Sequence, residues 1–164
     1  MALTYRPMST EDGPRIFDLV RTSGTLDLNS RYTYLLWGKY FGTTSLVVEA
    51  SEELIGCVVG FRPPECDDTL FVWQVAVHPD YRGQGLAKTL ICRLLESSGV
   101  THLEATVTPG NRASDALFRA IARRYGADCE VNLCFARALF GEGDHEPEYR
   151  YRIGPLRERD HHAS

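Results

Sequence analysis

The chain has 164 residues, 43% of them apolar and 24% charged, with a formal net charge of −4. That is enough chain for one domain with its own hydrophobic core. It contains no apolar run of bilayer length, which argues against a membrane span, and its acidic balance argues against a surface that tracks nucleic-acid phosphates.

The N-terminal residues MALTYRPMSTEDGPR show no basic start followed by an apolar stretch, so no secretory signal is read there and a cytoplasmic protein is expected. Mild acidity suits a cationic substrate. Cys57, Cys66, Cys92, Cys129 and Cys134 are odd in number and form no CxxC pair. That spacing argues against a disulfide framework and a zinc site. Most sit in apolar runs and are expected to be buried small side chains. No metal is expected.

Residues 3–6 read as a first strand. Residues 10–21 read as a helix capped by Thr10, with Ile16, Leu19 and Val20 on one face. After a loop over 24–29, Ser30 is placed to cap a second helix, the aromatic-rich RYTYLLWGKYF. Residues 44–49 and 54–61 are β-branched runs separated by polar Ser51, Glu52 and Glu53, the pattern of a hairpin. Residues 70–77, LFVWQVAV, are apolar on both faces except for Gln74, so a central strand buried on both sides is expected.

Apolar residues at 86, 87, 90, 91, 94 and 95 mark one face of the next helix, closed by Gly99. Residues 102–107 are a strand, and Asn111 is placed to cap a helix that carries Leu117, Phe118, Ile121, Ala122 and Tyr125 on one side. Residues 129–136 and 149–153 complete the strands. Residues 1–156 are expected to form a single domain, followed by a disordered polar tail over 157–164 in which His161 and His162 are not read as metal ligands. The order of elements is that of an α/β protein built on a mixed sheet.

The most informative segment is VAVHPDYRGQGLAKTLI, residues 75–91. A strand ends at Val77, a His-Pro-Asp turn follows, and Arg82-Gly83-Gln84-Gly85-Leu86-Ala87 leads directly into a helix. Glycines permit unusual backbone dihedrals. The first helical N–H groups point outward at the positive end of the dipole, an arrangement that binds phosphate or pyrophosphate. Arg82 and Lys88 add positive charge. The segment matches neither GxxxxGK[ST] nor GxGxxG, which argues against a Walker A loop and a dinucleotide site.

The pattern R-x-x-G-x-A after a long apolar strand, within V-x-P-x-Y-R-G-x-G-L-A, resembles the acyl-coenzyme A signature of the GCN5-related N-acetyltransferases, the GNAT family. The resemblance covers residues 3–153 in order of elements. It implies the GNAT (acyl-CoA N-acyltransferase) fold, a mixed central sheet of about seven strands flanked by helices. It also implies acetyl-CoA as cosubstrate. Backbone groups near Val75 and Val77 are then expected to bond the pantetheine arm, the N–H groups of Arg82, Gly83, Gln84, Gly85, Leu86 and Ala87 to hold the pyrophosphate, and a splay in the sheet to receive the acetyl carbonyl. Asn111, opening NRASDALF, resembles the family's asparagine beside the cofactor arm. Where many members carry a tyrosine that protonates the leaving thiolate, this chain has Phe118, which has no proton to give.

An aliphatic amine is protonated at neutral pH and must lose a proton before it attacks, a task suited to carboxylates or histidine. Asp27, Arg31, Tyr32 and Tyr34 lie in the stretch that lines the acceptor side in GNAT proteins, and DHEPE, 144–148, lies between the last two strands. LDLNSRYTYLLW, FVWQVAVHP, NRASDALF and GDHEPEYRYRI together resemble the L-2,4-diaminobutyrate acetyltransferases of ectoine biosynthesis. That resemblance implies transfer of acetyl to the γ-amine of a small diamino acid, by direct attack in a ternary complex, and a homodimer. Asp27, His145 and Glu148 become candidate partners of the two amines, with His145 or Glu148 as base. Arg31 becomes a candidate partner of the carboxylate, and Tyr32 and Trp73 candidate walls. Another amine acceptor, such as a peptide N-terminus or an aminoglycoside, and a non-catalytic acetyl-CoA-binding module are the alternatives.

Overall fold

The computed structural model describes residues 2–24 and 27–157. The expected tail, with His161 and His162, therefore lies outside the described residues except for Arg157. Among the described residues, seven strands form one mixed sheet in the order β1-β2-β3-β4-β5-β7-β6. The chain divides into two compact units, Met1–Arg62 with Val72–Ser98, and Pro63–Phe71 with Gly99–Ser164.

In the first unit, β1 (Leu3–Pro7) pairs antiparallel with β2 (Leu46–Ala50), and β2 pairs antiparallel with β3 (Glu53–Phe61). The hairpin turn is Ser51-Glu52, both with positive φ, 48° and 69°. Left-handed backbone at both positions matches the right-handed twist of the flanking strands, and this short turn draws Glu53 into β3. Helix α1 (Asp12–Ser23) starts two residues later than expected, and Thr10 does not cap it. The Asp12 side chain instead accepts from the Ser9 N–H at 2.8 Å, so the segment before the helix turns through Ser9.

Asp12, 1% exposed, is gripped by Arg6 through two 2.7 Å bonds. Arg6 Nη2 also reaches Glu49 Oε1 at 3.0 Å, and Arg15 Nη1 reaches the same oxygen at 2.7 Å. This cluster ties β1, α1 and β2 together. Helix α2 (Arg31–Tyr40) is capped as expected: Ser30 Oγ accepts from the Thr33 N–H at 3.2 Å. Ile16, Leu19, Val20, Tyr34, Trp37, Val47, Cys57, Val59 and Ala76 form one buried cluster. Burial pushes the Cys57 thiol up to about 12, which leaves it inert. Cys66 and Cys134, by contrast, are exposed, since each falls outside the packed core. Helix α3 (Leu86–Ser98) buries Leu86, Leu90, Ile91, Leu94 and Leu95, as its periodicity predicts, while Ala87 of the same expected face is half-buried.

Strand β4 (Thr69–Val77) contributes Val72–Val77 to this unit. It is not buried on both faces. Val72, Gln74 and Ala76 are buried, whereas Trp73 is 49% exposed and Val75 and Val77 are half-buried. Only one face of the strand packs into the core, so the expected burial on both sides does not hold.

In the second unit, Thr69–Phe71 of β4 pairs parallel with β5 (His102–Val107) over three residue pairs, from Thr69↔His102 to Phe71↔Glu104. Strand β7 (Glu148–Gly154) lies antiparallel between β5 and β6 (Asp128–Phe135). Helix α4 (Arg112–Arg124) buries Phe118, Ile121 and Ala122, and its Asn111 cap is formed as expected, accepting from the Ser114 N–H at 3.1 Å. Tyr125, expected on the core side, is only half-buried, because it stands at the end of the helix.

Candidate active site

Past Val77 the chain makes a single 3₁₀ turn, Pro79–Tyr81, entered by His78, whose Nδ1 accepts from the Asp80 N–H at 3.2 Å. Arg82 Nη2 then donates to the Ser23 carbonyl at 3.1 Å, which ties the loop to the end of α1. Gly83 and Gly85 have φ of 76° and 74°, and a Cβ on either would meet nothing within 4 Å. Left-handed backbone, not crowding, is thus what selects glycine here. Arg82 to Gly85 are exposed, and the Thr89 N–H bonding back to the Gly85 carbonyl at 3.0 Å begins the helical ladder. The N–H groups just before it carry no intrahelical bond. The first turn of α3 holds no acidic residue to offset the dipole. Exposed amides, a positive helix end and the neighbouring Lys88 fit a pyrophosphate.

On β4, Trp73, Val75 and Val77 lie on the open face. The Trp73 indole rests 4.6 Å from Trp37 and 5.8 Å from Phe61, centroid to centroid. On the buried face, Gln74 Oε1 accepts from the Tyr34 hydroxyl at 3.1 Å, and Gln74 Nε2 donates to the Asp27 carbonyl at 3.0 Å. Asp27 and Tyr32 are exposed. Tyr34 is fully buried, so it packs and hydrogen-bonds inside the unit and does not cover a ligand cation. The Arg31 guanidinium lies 4.1 Å over the Phe17 ring and 4.0 Å from Asp18.

In the second unit, Phe118 is 4% exposed and packs edge-on to Tyr151, with centroids 6.4 Å apart. The Tyr151 hydroxyl donates to Asp115 Oδ1 at 2.6 Å, and Arg119 Nε donates to the same oxygen at 2.9 Å. These bonds hold the Asp115 carboxyl below its ordinary range. Burial, then the carboxylate, push the Tyr151 phenol up. The sequence reading missed this group. Its signal was the i, i+4 Asp115–Arg119 pair together with the inward parity of Tyr151 between Tyr149 and Ile153.

The DHEPE loop resolves into separate tasks. His145 stacks on Phe140, with centroids 3.8 Å apart and planes 13° from parallel. Its Nδ1 lies 2.5 Å from the Glu146 carbonyl. A carbonyl only accepts, so Nδ1 carries a proton, which leaves Nε2 as the nitrogen that can take one up or give one away. The exposed Glu146 carboxylate accepts from the Gly110 N–H at 3.1 and 3.2 Å, which fastens the loop beside Asn111. Glu148 is half-buried at the start of β7, opposite Phe135. Glu142 and Asp144 are exposed, as composition predicts. Among the described residues no group of three or more His, Cys, Asp or Glu side chains is placed to hold a metal ion. Nor, among them, is any helix long and apolar enough to cross a membrane.

The model of the acetyltransferase (GNAT) family matches residues 14–122. The chain is 46% identical over 157 residues to an L-2,4-diaminobutyric acid acetyltransferase of Halalkalibacterium halodurans, covering 94% of this chain and 82% of that one. Its fold is similar to that of the diaminobutyrate acetyltransferase EctA from Paenibacillus lautus, solved in complex with its substrate L-2,4-diaminobutyric acid and coenzyme A. The TM-score is 0.89 at 38% identity, over 96% of this chain and 98% of the other. A ribosomal-protein-S18-alanine N-acetyltransferase from Escherichia coli shares the fold alone, with a TM-score of 0.74 at 17% identity over 99% of both chains. The expected α/β architecture thus has its counterpart in known proteins: the chain belongs to the acetyltransferase (GNAT) family and, within it, to the L-2,4-diaminobutyric acid acetyltransferases.

Proposed function

We propose that this chain transfers acetyl from acetyl-CoA to the γ-amine of L-2,4-diaminobutyrate, giving N4-acetyl-L-2,4-diaminobutyrate, as a step of ectoine biosynthesis. The observation that carries the reading is the near full-length likeness to a solved enzyme that holds both diaminobutyrate and coenzyme A. The glycine loop before α3 supports it independently. In this reading residues 1–156 work as one catalytic domain in the cytoplasm. Val75, Val77, Arg82 to Ala87 and Asn111 receive the cosubstrate.

The amine arrives as an ammonium with a pKa near 10. On the first unit, Asp27 is its ionic partner, Arg31 takes the carboxylate, and Tyr32 and Trp73 bound the acceptor. On the second unit, Glu148 anchors an amine and the Nε2 lone pair of His145 accepts the proton. The Phe140 stack and the Nδ1 bond support this assignment, because they fix both ring orientation and tautomer. The N–C bond forms as the thioester C–S bond breaks. Phe118 offers no proton, so the thiolate takes one from solvent.

A homodimer is also proposed. Strand β6 ends the sheet, and it exposes Val131, Leu133 and Phe135, followed by Leu139 and Phe140. An apolar edge strand of this kind needs a partner or a cover. Leu133→Lys is expected to shift the sedimenting species from dimer to monomer.

The function is tested by following thiol release from acetyl-CoA with diaminobutyrate, a peptide N-terminus and an aminoglycoside, and by locating the acetyl group in the product by NMR. Release with diaminobutyrate and acetylation at N4 are expected. Release with peptide but not with diaminobutyrate would overturn the reading, and binding of acetyl-CoA without turnover of any amine would mark a regulatory module.

A further inference from the structure

Gln74 is the polar residue within the apolar run 70–77 of β4, 9% exposed between Val72 and Ala76. Burying an amide is costly unless both its ends are satisfied. Both ends are: Oε1 accepts from the Tyr34 hydroxyl at 3.1 Å and Nε2 donates to the Asp27 carbonyl at 3.0 Å. The Tyr34 oxygen in turn faces the Asn29 N–H at 3.4 Å. The Tyr34 ring is fully buried, edge-on to Phe17 at 6.1 Å and to Trp37 at 5.1 Å, so its hydroxyl is aimed by the core itself.

These bonds lie within the first unit and converge on one irregular segment, residues 27–29. That segment has no helical or strand ladder to hold it. We infer that Gln74 and Tyr34 are positioning residues that hold this segment, and with it the Asp27 carboxylate, in the conformation that receives the ammonium of the diamino acid. The inference rests on the proposed role of Asp27. Its physical content is preorganisation. Ordering a loop during binding weakens affinity for the ligand that the loop contacts, and tying it down beforehand removes that cost. The effect must therefore appear in the KM for the amine and not in that for acetyl-CoA.

Three variants separate the links. Gln74→Met keeps the volume and removes both bonds. Gln74→Glu keeps the acceptor for Tyr34 and loses the donor to the Asp27 carbonyl. Tyr34→Phe removes a single oxygen from the core. Each is compared with wild type in KM for diaminobutyrate, KM for acetyl-CoA, kcat and Tm, and Gln74→Met is combined with Asp27→Asn. The expected result is a KM for diaminobutyrate raised roughly tenfold, the worth of one or two hydrogen bonds, with the KM for acetyl-CoA within about twofold. In the Asp27→Asn background Gln74→Met should add little, because both changes act on the same contact. Equal rises in both KM values, or full additivity with Asp27→Asn, would assign Gln74 a general packing role and overturn the inference. So would an unchanged KM for diaminobutyrate in all three variants. Should Gln74→Met fail to fold, Tyr34→Phe and Gln74→Glu carry the same comparison. A wild-type protein inactive on diaminobutyrate would remove the proposed function itself, and the inference with it.

Discussion

The Tyr151 hydroxyl donates a 2.6 Å hydrogen bond to Asp115, and its ring lies against Phe118, which has no proton of its own to give. A phenol is therefore present near residue 118, but its proton is committed to a carboxylate. Burial and that carboxylate push it above the ordinary phenol range, which makes it a weak acid for a departing thiolate.

Tyr151→Phe is accordingly expected to lower kcat with diaminobutyrate by less than about tenfold, while Tm falls by several degrees for the loss of about 1 kcal/mol. A hundredfold loss of kcat at unchanged Tm would instead make Tyr151 the proton source.

The loop at 82–87 can be tested through its backbone. Gly85→Ala places a side chain at φ 74°, at a cost of about 1 kcal/mol in strain. It should weaken acetyl-CoA binding in calorimetry several-fold, and Gly85→Glu should abolish it by setting a carboxylate against the pyrophosphate. Unchanged affinity in Gly85→Glu would contradict the assignment of the loop.

Glu146 offers a local readout. Its carboxylate holds the Gly110 N–H, next to the Asn111 cap. Glu146→Ala should speed hydrogen exchange at the Gly110 amide, whereas Glu146→Gln, which keeps one acceptor oxygen, should largely preserve protection. Equal protection in all three proteins would show that the bond does not anchor the loop.

The Arg6–Asp12–Glu49–Arg15 cluster predicts the response to acid. Burial alone would raise the Asp12 carboxyl, but the bonds from Arg6 and Ser9 outweigh it and hold it below its ordinary value. Arg6 and then Arg15 hold Glu49 down in the same way. A carboxylate whose folded pKa is depressed adds stability above its unfolded pKa and loses it as pH falls through the folded one. Tm should therefore drop as pH falls below about 4. Asp12→Asn should cost about 3 kcal/mol at neutral pH, because it leaves Arg6 without its closest partner, and it should flatten the acid limb of the curve. Thermal melts across that range decide the matter, and an acid limb as steep as wild type would refute the role of the cluster.

Local rules made much of this protein legible. Ser30 and Asn111 cap the helices they precede because each side chain reaches an N–H three residues on. The face of α3 follows from its spacing, and the glycines of RGQGLA announce the left-handed turn that precedes it, because that conformation is set by the local backbone. Sequence alone thus determined the α/β order and the family.

Only the tertiary structure decided what depends on residues distant in the chain. Residues 70–77 read as a strand buried on both sides until packing left one face of β4 open. Thr10 read as a cap until Asp12 was drawn to Arg6 and Ser9. The exposed Glu146 bonds to the Gly110 N–H, 36 residues away in the chain. Tyr34 and Gln74, 40 residues apart, form a relay to Asp27 that no local pattern encodes. A hydrogen bond across such a separation leaves no periodicity in the sequence, because its partners are brought together only when the core around them closes.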